Sequence, residues 1–195
     1  MIMAKRAFDL VFSIVGLILL SPVFLIVAVL VRLSGPGPVF FRQERVGRSF
    51  RRFHICKFRT MVDGSGAGRP ITVRGDQRVT LLGRFLRRTK LDELPQLINV
   101  IRGDMSLVGP RPEVPQYVEM FRQDYEEILR VRPGITDEAS IAFRDEEAIL
   151  SQAADPQKTY LKEVLPRKIE LGRHYVRTWT LRRDLVIIAR TIFHL

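Results

Sequence analysis

The sequence predicts an α+β fold in which a helix–break–helix hairpin precedes one compact, mostly helical domain with a small β-hairpin. Three observations support this fold. The chain has 195 residues, which fits one domain of ordinary size. Residues 10–31 carry no charge, although the chain as a whole is rich in charged residues. After residue 38, short segments typical of strands are followed by segments with apolar residues at helical spacing.

The charge balance indicates an anionic partner. The chain has 32 Lys and Arg residues against 21 Asp and Glu, which gives a formal net charge of +11. Such a charge is typical of proteins that bind nucleic acid, an anionic membrane or phosphorylated substrates. The hydrophobic content of 46% argues against a disordered basic tail and against a polytopic membrane protein. A single cysteine, Cys56, and three scattered histidines exclude a disulfide framework and a cysteine-rich zinc site.

The uncharged segment 10–31 is long enough to cross a membrane. It can span a hydrocarbon core of ~30 Å, and it is longer than the ~7–15 apolar residues of a signal peptide. Ser21 and Pro22 lie in its middle. Pro22 has no N–H to donate, so the carbonyl of Ile18 loses its helical partner. The Ser21 hydroxyl is placed to replace that partner, and we therefore expect a break at Ser21-Pro22.

Two membrane arrangements are compatible with this segment. One is a spanning helix, because proline also occurs in ordinary transmembrane helices. The other is a re-entrant hairpin bent at Ser21-Pro22. Basic residues flank both ends of the segment, and the positive-inside rule draws both ends to the cytoplasm, which only the hairpin allows. These flanking residues are Lys5, Arg6, Arg32, Arg42, Arg45 and Arg48. We divide the chain into a re-entrant membrane hairpin over residues 1–35 and a cytosolic domain over residues 36–195.

The start of the domain predicts a basic β-hairpin. Residues 39–41 and 53–58 have the composition of short strands around a turn at Gly47. Arginines are interleaved here with phenylalanines, which fits a nucleic-acid surface or a surface that faces lipid headgroups and phosphates. The neighbouring apolar segment favours the second interpretation. The glycine-rich segment 63–69 matches no phosphate-binding fingerprint and predicts a flexible loop.

Residues 80–103 predict two helices, with an acidic pair at the start of the second. Apolar residues recur at helical spacing in 81–86 and in 94–101, and Gly103 ends the second helix. Asp92 is a candidate N-cap, and Pro95 is tolerated in the first turn. Adjacent carboxylates at a helix start are ordinarily caps. The alternative is that a carboxylate, beside an arginine-rich turn that binds a phosphate group, attacks phosphorus in covalent catalysis.

A second candidate site feature is the turn around Arg111. Pro110 and Pro112 flank this residue and fix an extended turn that presents the guanidinium rigidly. Arginine binds phosphate in a bidentate manner, so the turn is a candidate phosphate clamp. A surface loop with an exposed arginine is the alternative.

Four features occur in a characteristic order: Ser21-Pro22, KFRTM at 57–61, LDELPQL at 91–97 and GDMSLVGPRPE at 103–113. Together they resemble the bacterial sugar transferase family, the small monotopic phosphoglycosyl transferases, over essentially the whole chain. The resemblance implies a re-entrant helix at the cytoplasmic face of the bacterial inner membrane. It implies transfer of a sugar 1-phosphate from a UDP-sugar to a polyprenol phosphate, usually undecaprenyl phosphate, with release of UMP. This reaction is the first membrane step in assembling a capsule, exopolysaccharide, O-antigen or glycoprotein glycan.

The resemblance also implies the site residues. Asp92 resembles the nucleophile of a covalent aspartyl-phosphosugar route and Glu93 its partner, and both are candidate ligands of the required Mg²⁺. The cationic positions expected around the substrate are Lys57, Arg59, Arg87, Arg88 and Arg111. The turn from Pro110 to Pro112 resembles the nucleotide-binding region. The implied partners are the UDP-sugar, the polyprenol phosphate and inner-membrane lipid, without nucleic acid, and a homo-oligomer stays open.

Two further segments bear on function. After RPGIT at 132–136, many relatives continue Gly-Trp/Leu-Ala-Gln-Val, whereas this chain has DEASIAF at 137–143 and then an acidic stretch, 144–150, that predicts a helix. This region resembles the sugar-facing side, so neither the sugar nor the glycan pathway follows from the resemblance. At the C-terminus, a basic helix starting near Trp179 either lies in the membrane interface or packs in the core. Its apolar face comprises Leu181, Leu185, Ile188 and Ile192.

The alternative function belongs to a different class. A membrane-anchored basic module that binds anionic lipid or nucleic acid without catalysis would share the apolar segment and the net charge. Release of UMP from UDP-sugars distinguishes the enzyme from this module.

Overall fold

A computed structural model of the chain describes residues 2–62, 64 and 71–193. The predicted loop 63–69 therefore lies, except for Gly64, outside the described residues. The elements are α1 (Ile2–Leu19), α2 (Ser21–Leu33), β1 (Phe40–Val46), β2 (Arg52–Phe58), α3 (Leu81–Arg88), α4 (Gln96–Arg102), β3 (Ser106–Val108), α5 (Pro115–Met120), α6 (Arg122–Ile128), β4 (Gly134–Thr136), α7 (Glu138–Ala142), α8 (Glu146–Ser151), α9 (Pro156–Thr159), α10 (Leu165–Thr178) and α11 (Leu181–Phe193). Short 3₁₀ turns cover Arg48–Phe50 and Leu91–Glu93, and a π-helical turn covers Tyr160–Val164.

The architecture agrees with the predicted α+β class. β1 and β2 form the expected antiparallel hairpin, although β1 continues to Val46 so that all seven of its residues pair with β2. β3 and β4 form a separate parallel pair that the sequence does not predict, because three-residue strands carry no readable alternation. The backbone segments at the ends of these two strands approach each other very closely. A Cβ atom on Gly134 would lie 2.1 Å from the backbone nitrogen of Gly109, so only glycine fits there.

The break in the N-terminal hairpin lies where the sequence predicts it. α1 ends at Leu19, α2 begins at Ser21, and the two helices are bent by 64°. The Ser21 hydroxyl donates a hydrogen bond of 2.8 Å to the carbonyl of Ile18, which Pro22 cannot serve. Within the described residues, no single helix is long and apolar enough to cross a membrane. The bent pair α1–α2 meets that criterion only when its two arms are taken together.

The beginning of the hairpin is fastened to the domain by buried charge. Lys5 on α1 forms an ion pair of 2.5 Å with Asp184 on α11, whose side chain is fully buried. The hydroxyl of Tyr175 and the indole N–H of Trp179 also donate to this carboxylate, at 2.7 and 3.0 Å. Three donors thus meet at one buried carboxylate, and breaking such a buried set is costly.

A second buried carboxylate on α1 contacts the parallel strand pair. Asp9 accepts hydrogen bonds of 3.0 Å from the Ser106 hydroxyl and from the backbone N–H of Leu107. One turn earlier, Arg6 donates to the carbonyls of Val100 and Ile101 at the end of α4. Arg6 therefore satisfies carbonyls that a helix end leaves without partners.

The other end of the hairpin is held by Arg59. Its guanidinium is buried and donates to the carbonyls of Val31, Gly35 and Pro36, where α2 ends and the connector to β1 begins. Both ends of the hairpin are thus bound to the same domain, and the bend at Leu20 lies at the far end of its two arms.

The apolar residues that the hairpin and the last helix expose form a broad surface. Most of α1 and α2 is exposed on its outer face. On α11, Asp184 and Ile187 are buried, whereas Leu181, Leu185 and Ile192 are exposed. The core-packing interpretation of this helix face is therefore wrong for these three residues. The inward side of α11 instead carries Asp184, which binds Lys5, and Ile187, which packs with Val108 and Tyr175; Ile188 packs against the same cluster.

We expect replacement of Arg59 by methionine to destabilise the fold. Three carbonyls would lose their donor, and the loss at the buried carbonyl of Val31 alone costs about 1–3 kcal/mol. Arg52→Met is the control, because its ion pair with Glu44 is exposed and worth about 0–1 kcal/mol. Chemical unfolding of the two variants measures the difference. Equal stability of the two variants would contradict the anchoring role of Arg59.

Candidate active site

Asp92 and Glu93 lie on the 3₁₀ turn between α3 and α4. Lys90, just before the turn, has a left-handed backbone with φ of 58°, and Pro95 precedes the first residue of α4. The prediction that Asp92 caps the second helix is wrong: α4 begins at Gln96, and Pro95 occupies its cap position. The tight turn instead buries both carboxylates, with 6% of Asp92 and 9% of Glu93 exposed.

Glu93 is clamped between two cations. Its Oε1 atom accepts from Lys57 Nζ at 2.7 Å and from Arg111 Nη2 at 2.5 Å, and Oε2 accepts from Arg111 Nη1 at 3.3 Å. Burial alone would raise the pKa of Glu93, but the charges and hydrogen bonds of Arg111 and Lys57 outweigh it and hold the pKa well below its usual range. Glu93 is therefore ionised, and it fixes the positions of two cationic side chains from β2 and from the turn after β3.

Asp92 has the opposite environment. Its Oδ1 atom is buried and has no hydrogen-bond partner among the described residues. Burial raises the pKa of Asp92, and the nearby charge of Lys57 lowers it only in part. Most buried polar atoms are paired, so an unpaired carboxylate oxygen beside a cluster of cations marks a candidate functional site.

Sequence reasoning missed Gln96. This side chain is fully buried, and both its amide nitrogen and its amide oxygen lack partners in the described structure. It follows Asp92 by four residues and is the first residue of α4. The only available signal was its place in the LDELPQL segment.

The Arg111 turn is rigid, as expected, but its guanidinium is paired. Arg111 donates its backbone N–H to Asp137 Oδ2 at 2.9 Å, while its side chain holds Glu93. Pro110 and Pro112 are buried on either side. The carbonyl of Pro110 accepts from the Gly134 N–H, and that of Pro112 accepts from the Arg45 side chain. The backbone carbonyls of the two prolines thus fix the turn to neighbouring segments. The side chain of Arg111 is the one that contacts the acidic pair.

The remaining predicted cations are separated by the fold. Arg87 lies close enough to Asp92 to lower its pKa, and it pairs with Glu147 of α8 at 2.5 Å. Arg88, the next residue on α3, is exposed. Arg59 is directed away from the acidic pair, because its guanidinium binds the end of α2. The structure therefore gathers Lys57, Arg87 and Arg111 around the pair and leaves Arg59 and Arg88 outside.

The acidic pair is the candidate metal site. Among the described residues, no group of three or more His, Cys, Asp or Glu side chains could hold a metal ion. Mg²⁺ typically needs only one or two carboxylates together with substrate phosphates and water. The unpaired oxygen of Asp92 fits this requirement. The oxygens of Glu93 already bind Lys57 and Arg111, so Glu93 could join only by giving up one of these partners.

Comparison with known proteins places this geometry in context. The family model described as bacterial sugar transferase matches residues 1–195. The chain is 40% identical over 194 residues to UDP-glucose:undecaprenyl-phosphate glucose-1-phosphate transferase of Escherichia coli, covering 97% of this chain and 39% of that protein. It is 39% identical over 194 residues to UDP-N-acetylgalactosamine-undecaprenyl-phosphate N-acetylgalactosaminephosphotransferase of Aeromonas hydrophila, covering 96% and 42%. It is 37% identical over 205 residues to exopolysaccharide production protein ExoY of Sinorhizobium fredii, covering 97% and 84%. The chain thus spans about two fifths of the first two relatives and most of the third.

Opposite stability effects are expected at the two carboxylates. Asp92→Asn removes a buried charge that lacks a hydrogen-bond partner at Oδ1, so its free energy of unfolding should stay equal or rise. Glu93→Gln leaves Lys57 and Arg111 without their counter-charge, which should cost about 3 kcal/mol. Denaturant unfolding at neutral pH measures both. A larger loss for Asp92→Asn than for Glu93→Gln would contradict the assigned environments.

Proposed function

Because the chain belongs to the bacterial sugar transferase family, we propose that it transfers a sugar 1-phosphate from a UDP-sugar to a polyprenol phosphate and releases UMP. The names of two relatives state undecaprenyl phosphate as acceptor and a sugar phosphate as the group transferred, which supports undecaprenyl phosphate here. The observation that carries the proposal is the buried, partly unpaired Asp92 beside three cationic side chains. A module that only binds anionic surfaces has no need of such a carboxylate.

The proposed chemistry has two steps. Asp92 attacks the phosphorus that bears the sugar, the bond from that phosphorus to the UMP oxygen breaks, and UMP leaves. An oxygen of the polyprenol phosphate then attacks the same phosphorus, and the carboxylate of Asp92 is released. The product is a polyprenyl diphosphate sugar. In the competing one-step route the lipid phosphate attacks the UDP-sugar directly, and Asp92 would serve only to bind a cation.

The cationic side chains provide the electrostatic stabilisation that this reaction needs. Lys57 and Arg111 carry two positive charges against the single charge of Glu93, so the clamp leaves a net positive charge beside Asp92. Burial lowers the pKa of Lys57, and the neighbouring Glu93 opposes this shift. Fixed charges of this kind stabilise a transferring phosphoryl group without having to reorient during the reaction. Arg87 can add a further positive charge when it exchanges Glu147 for the substrate.

We propose Mg²⁺ as the cofactor, held by Asp92 and, after release from its clamp, Glu93. A bound Mg²⁺ would neutralise part of the charge on the diphosphate and polarise it toward attack. UMP release should therefore stop in EDTA and return when Mg²⁺ is added. Full activity after exhaustive removal of metal would contradict this proposal.

We further propose that the chain is monotopic, with α1 and α2 inserted into the cytoplasmic leaflet of a bacterial inner membrane. Two observations support it. Both ends of the hairpin are bound to one domain, through Lys5 at the start and Arg59 at the end. The outer faces of α1, α2 and α11 expose apolar side chains, as an interfacial surface would. The downstream glycan would be a bacterial surface polysaccharide or glycoconjugate.

The covalent route predicts a labelled protein. Incubation with a UDP-sugar radiolabelled in the sugar, without lipid acceptor, should leave label on the protein in a stoichiometric burst with UMP. Asp92→Asn should abolish the label, whereas Glu93→Gln should slow its formation by a smaller factor. Hydroxylamine should release the label, because acyl phosphates are labile to it. Normal formation of lipid product without any labelled protein would exclude the covalent route.

The topology predicts equal protection of the two ends of the hairpin. In a Cys56→Ser background, Met3→Cys and Arg42→Cys should both resist a membrane-impermeant thiol reagent in intact cells and react after lysis. Replacing Ser21 and Pro22 together by alanine should straighten the helix and shift the chain toward spanning, because Pro22 would no longer interrupt it. Labelling of Met3→Cys alone in the otherwise unaltered chain would show that the chain spans the membrane.

A further inference from the structure

A groove of about 500 Å³ lies where the connector from α2 enters β1. Its size is in the ~300–1,000 Å³ range of small-molecule sites. It lies outside the cluster around Asp92 and Glu93, and the chemistry proposed above does not use it. Apolar residues form most of its lining, with two arginines among them: Pro38, Val39, Phe40, Phe41, Arg42 and Arg59.

Phe41 connects this groove with the acidic pair. Phe41 on β1 is the cross-strand partner of Lys57 on β2, so the two side chains lie on the same face of the hairpin. The ammonium of Lys57 contacts Glu93, the neighbour of Asp92. Phe41 nevertheless exposes 47% of its surface, although an aromatic side chain at this position could pack inward. The exposed phenyl ring of Phe41 thus lies next to Lys57, the residue that binds Glu93.

The groove also adjoins the hairpin, because Phe40 in its lining packs against Phe24 of α2 with the ring centroids 5.9 Å apart. Leu33, the last residue of α2, is largely exposed and immediately precedes the connector. Arg42 follows Phe41 on β1 and pairs with Cys56, so its side chain lies on the opposite face of the hairpin from Phe41 and Lys57. The groove therefore combines an apolar lining that begins at the proposed membrane surface with the cation of Lys57, on the face that Phe41 shares.

We propose that this groove binds the polyprenol phosphate, with Phe41 packing against the isoprene units nearest the phosphate and the phosphate directed toward Lys57 and the acidic pair. This assignment rests on the proposed function and adds a subsite for the acceptor. The occupant must carry a long apolar chain next to an anionic group and must arrive from the membrane. A UDP-sugar has no apolar chain to place against this lining, so the donor binds elsewhere, at the arginines around Asp92.

The test compares the acceptor and the donor. With the full chain in lipid nanodiscs, Phe41→Ala should raise the KM for undecaprenyl phosphate roughly tenfold, which is the effect of losing ~1.4 kcal/mol of apolar contact. The KM for the UDP-sugar and the UMP burst without acceptor should not change. Leu25→Ala, on the exposed face of α2, is the matched control and should leave the acceptor KM unchanged.

A competition experiment separates the chain of the lipid from its phosphate. Farnesyl phosphate should inhibit the unaltered protein in competition with undecaprenyl phosphate, and Phe41→Ala should weaken this inhibition about tenfold. Phe41→Ala should leave inhibition by inorganic phosphate unchanged, because inorganic phosphate has no apolar chain to contact the ring. Phe41→Leu, which keeps an apolar side chain, should recover part of the acceptor affinity. This recovery would show that the effect of Phe41→Ala comes from a lost contact and not from misfolding.

Each contrary result has a definite meaning. An unchanged acceptor KM in Phe41→Ala, with normal UMP release, would overturn the groove assignment and leave the proposed function intact. A raised KM for the UDP-sugar instead would assign the groove to the donor and also overturn the proposal. Equal effects of Phe41→Ala and Leu25→Ala would show that the groove contacts bulk lipid only. Absence of UMP release in the unaltered protein would overturn the proposed function itself and the acceptor site with it.

Discussion

The contact of Glu93 with Lys57 and Arg111 is the interaction on which the geometry of the site depends. Three segments that are far apart in the chain meet at this one carboxylate: β2, the 3₁₀ turn and the turn after β3. A buried ion pair of this kind is weak grounds for stability, because desolvation offsets much of its attraction. Its value here is positional. It holds two cations at fixed distances from Asp92, which itself is left with a buried oxygen that no described group satisfies.

A second constraint fixes the domain to the apolar hairpin. Asp184, Asp9 and Arg59 are all buried, and each joins a helix of the hairpin to a different part of the domain. As a result, α1 and α2 cannot move away from the domain without breaking several buried polar contacts. The exposed apolar faces and the acidic pair are therefore parts of one rigid arrangement, which suits a reaction between a water-soluble donor and a lipid acceptor.

The acidic segment after β4 reaches the same site from another side. Asp137 accepts the backbone N–H of Arg111, and Glu147 pairs with the side chain of Arg87. By sequence, this is the region that departs from the pattern that the family resemblance implies. Its carboxylates contact the two arginines nearest the acidic pair, so sequence differences in this segment act directly on the charge that a substrate meets. If the chain transfers a sugar 1-phosphate as proposed, that contact gives the segment a physical route to influence which sugar is accepted.

The sequence by itself determined the features that depend on local chemistry. The missing N–H of Pro22 fixed the break, Gly103 ended α4 in a left-handed conformation, and the strand-like composition of residues 39–41 and 53–58 indicated the hairpin. The motifs identified Asp92, Glu93 and Arg111 as neighbours in function. Only the tertiary structure decided their environments. The sequence predicts the same substrate-binding role for Arg59 and Arg87, yet Arg59 binds the end of α2 and Arg87 lies near Asp92. The two differ because their burial and their charge partners are set by segments distant in the chain. The outward face of α11 was decided in the same way, since the buried partner of Lys5 turned out to be Asp184, a contact between residues that are 179 positions apart.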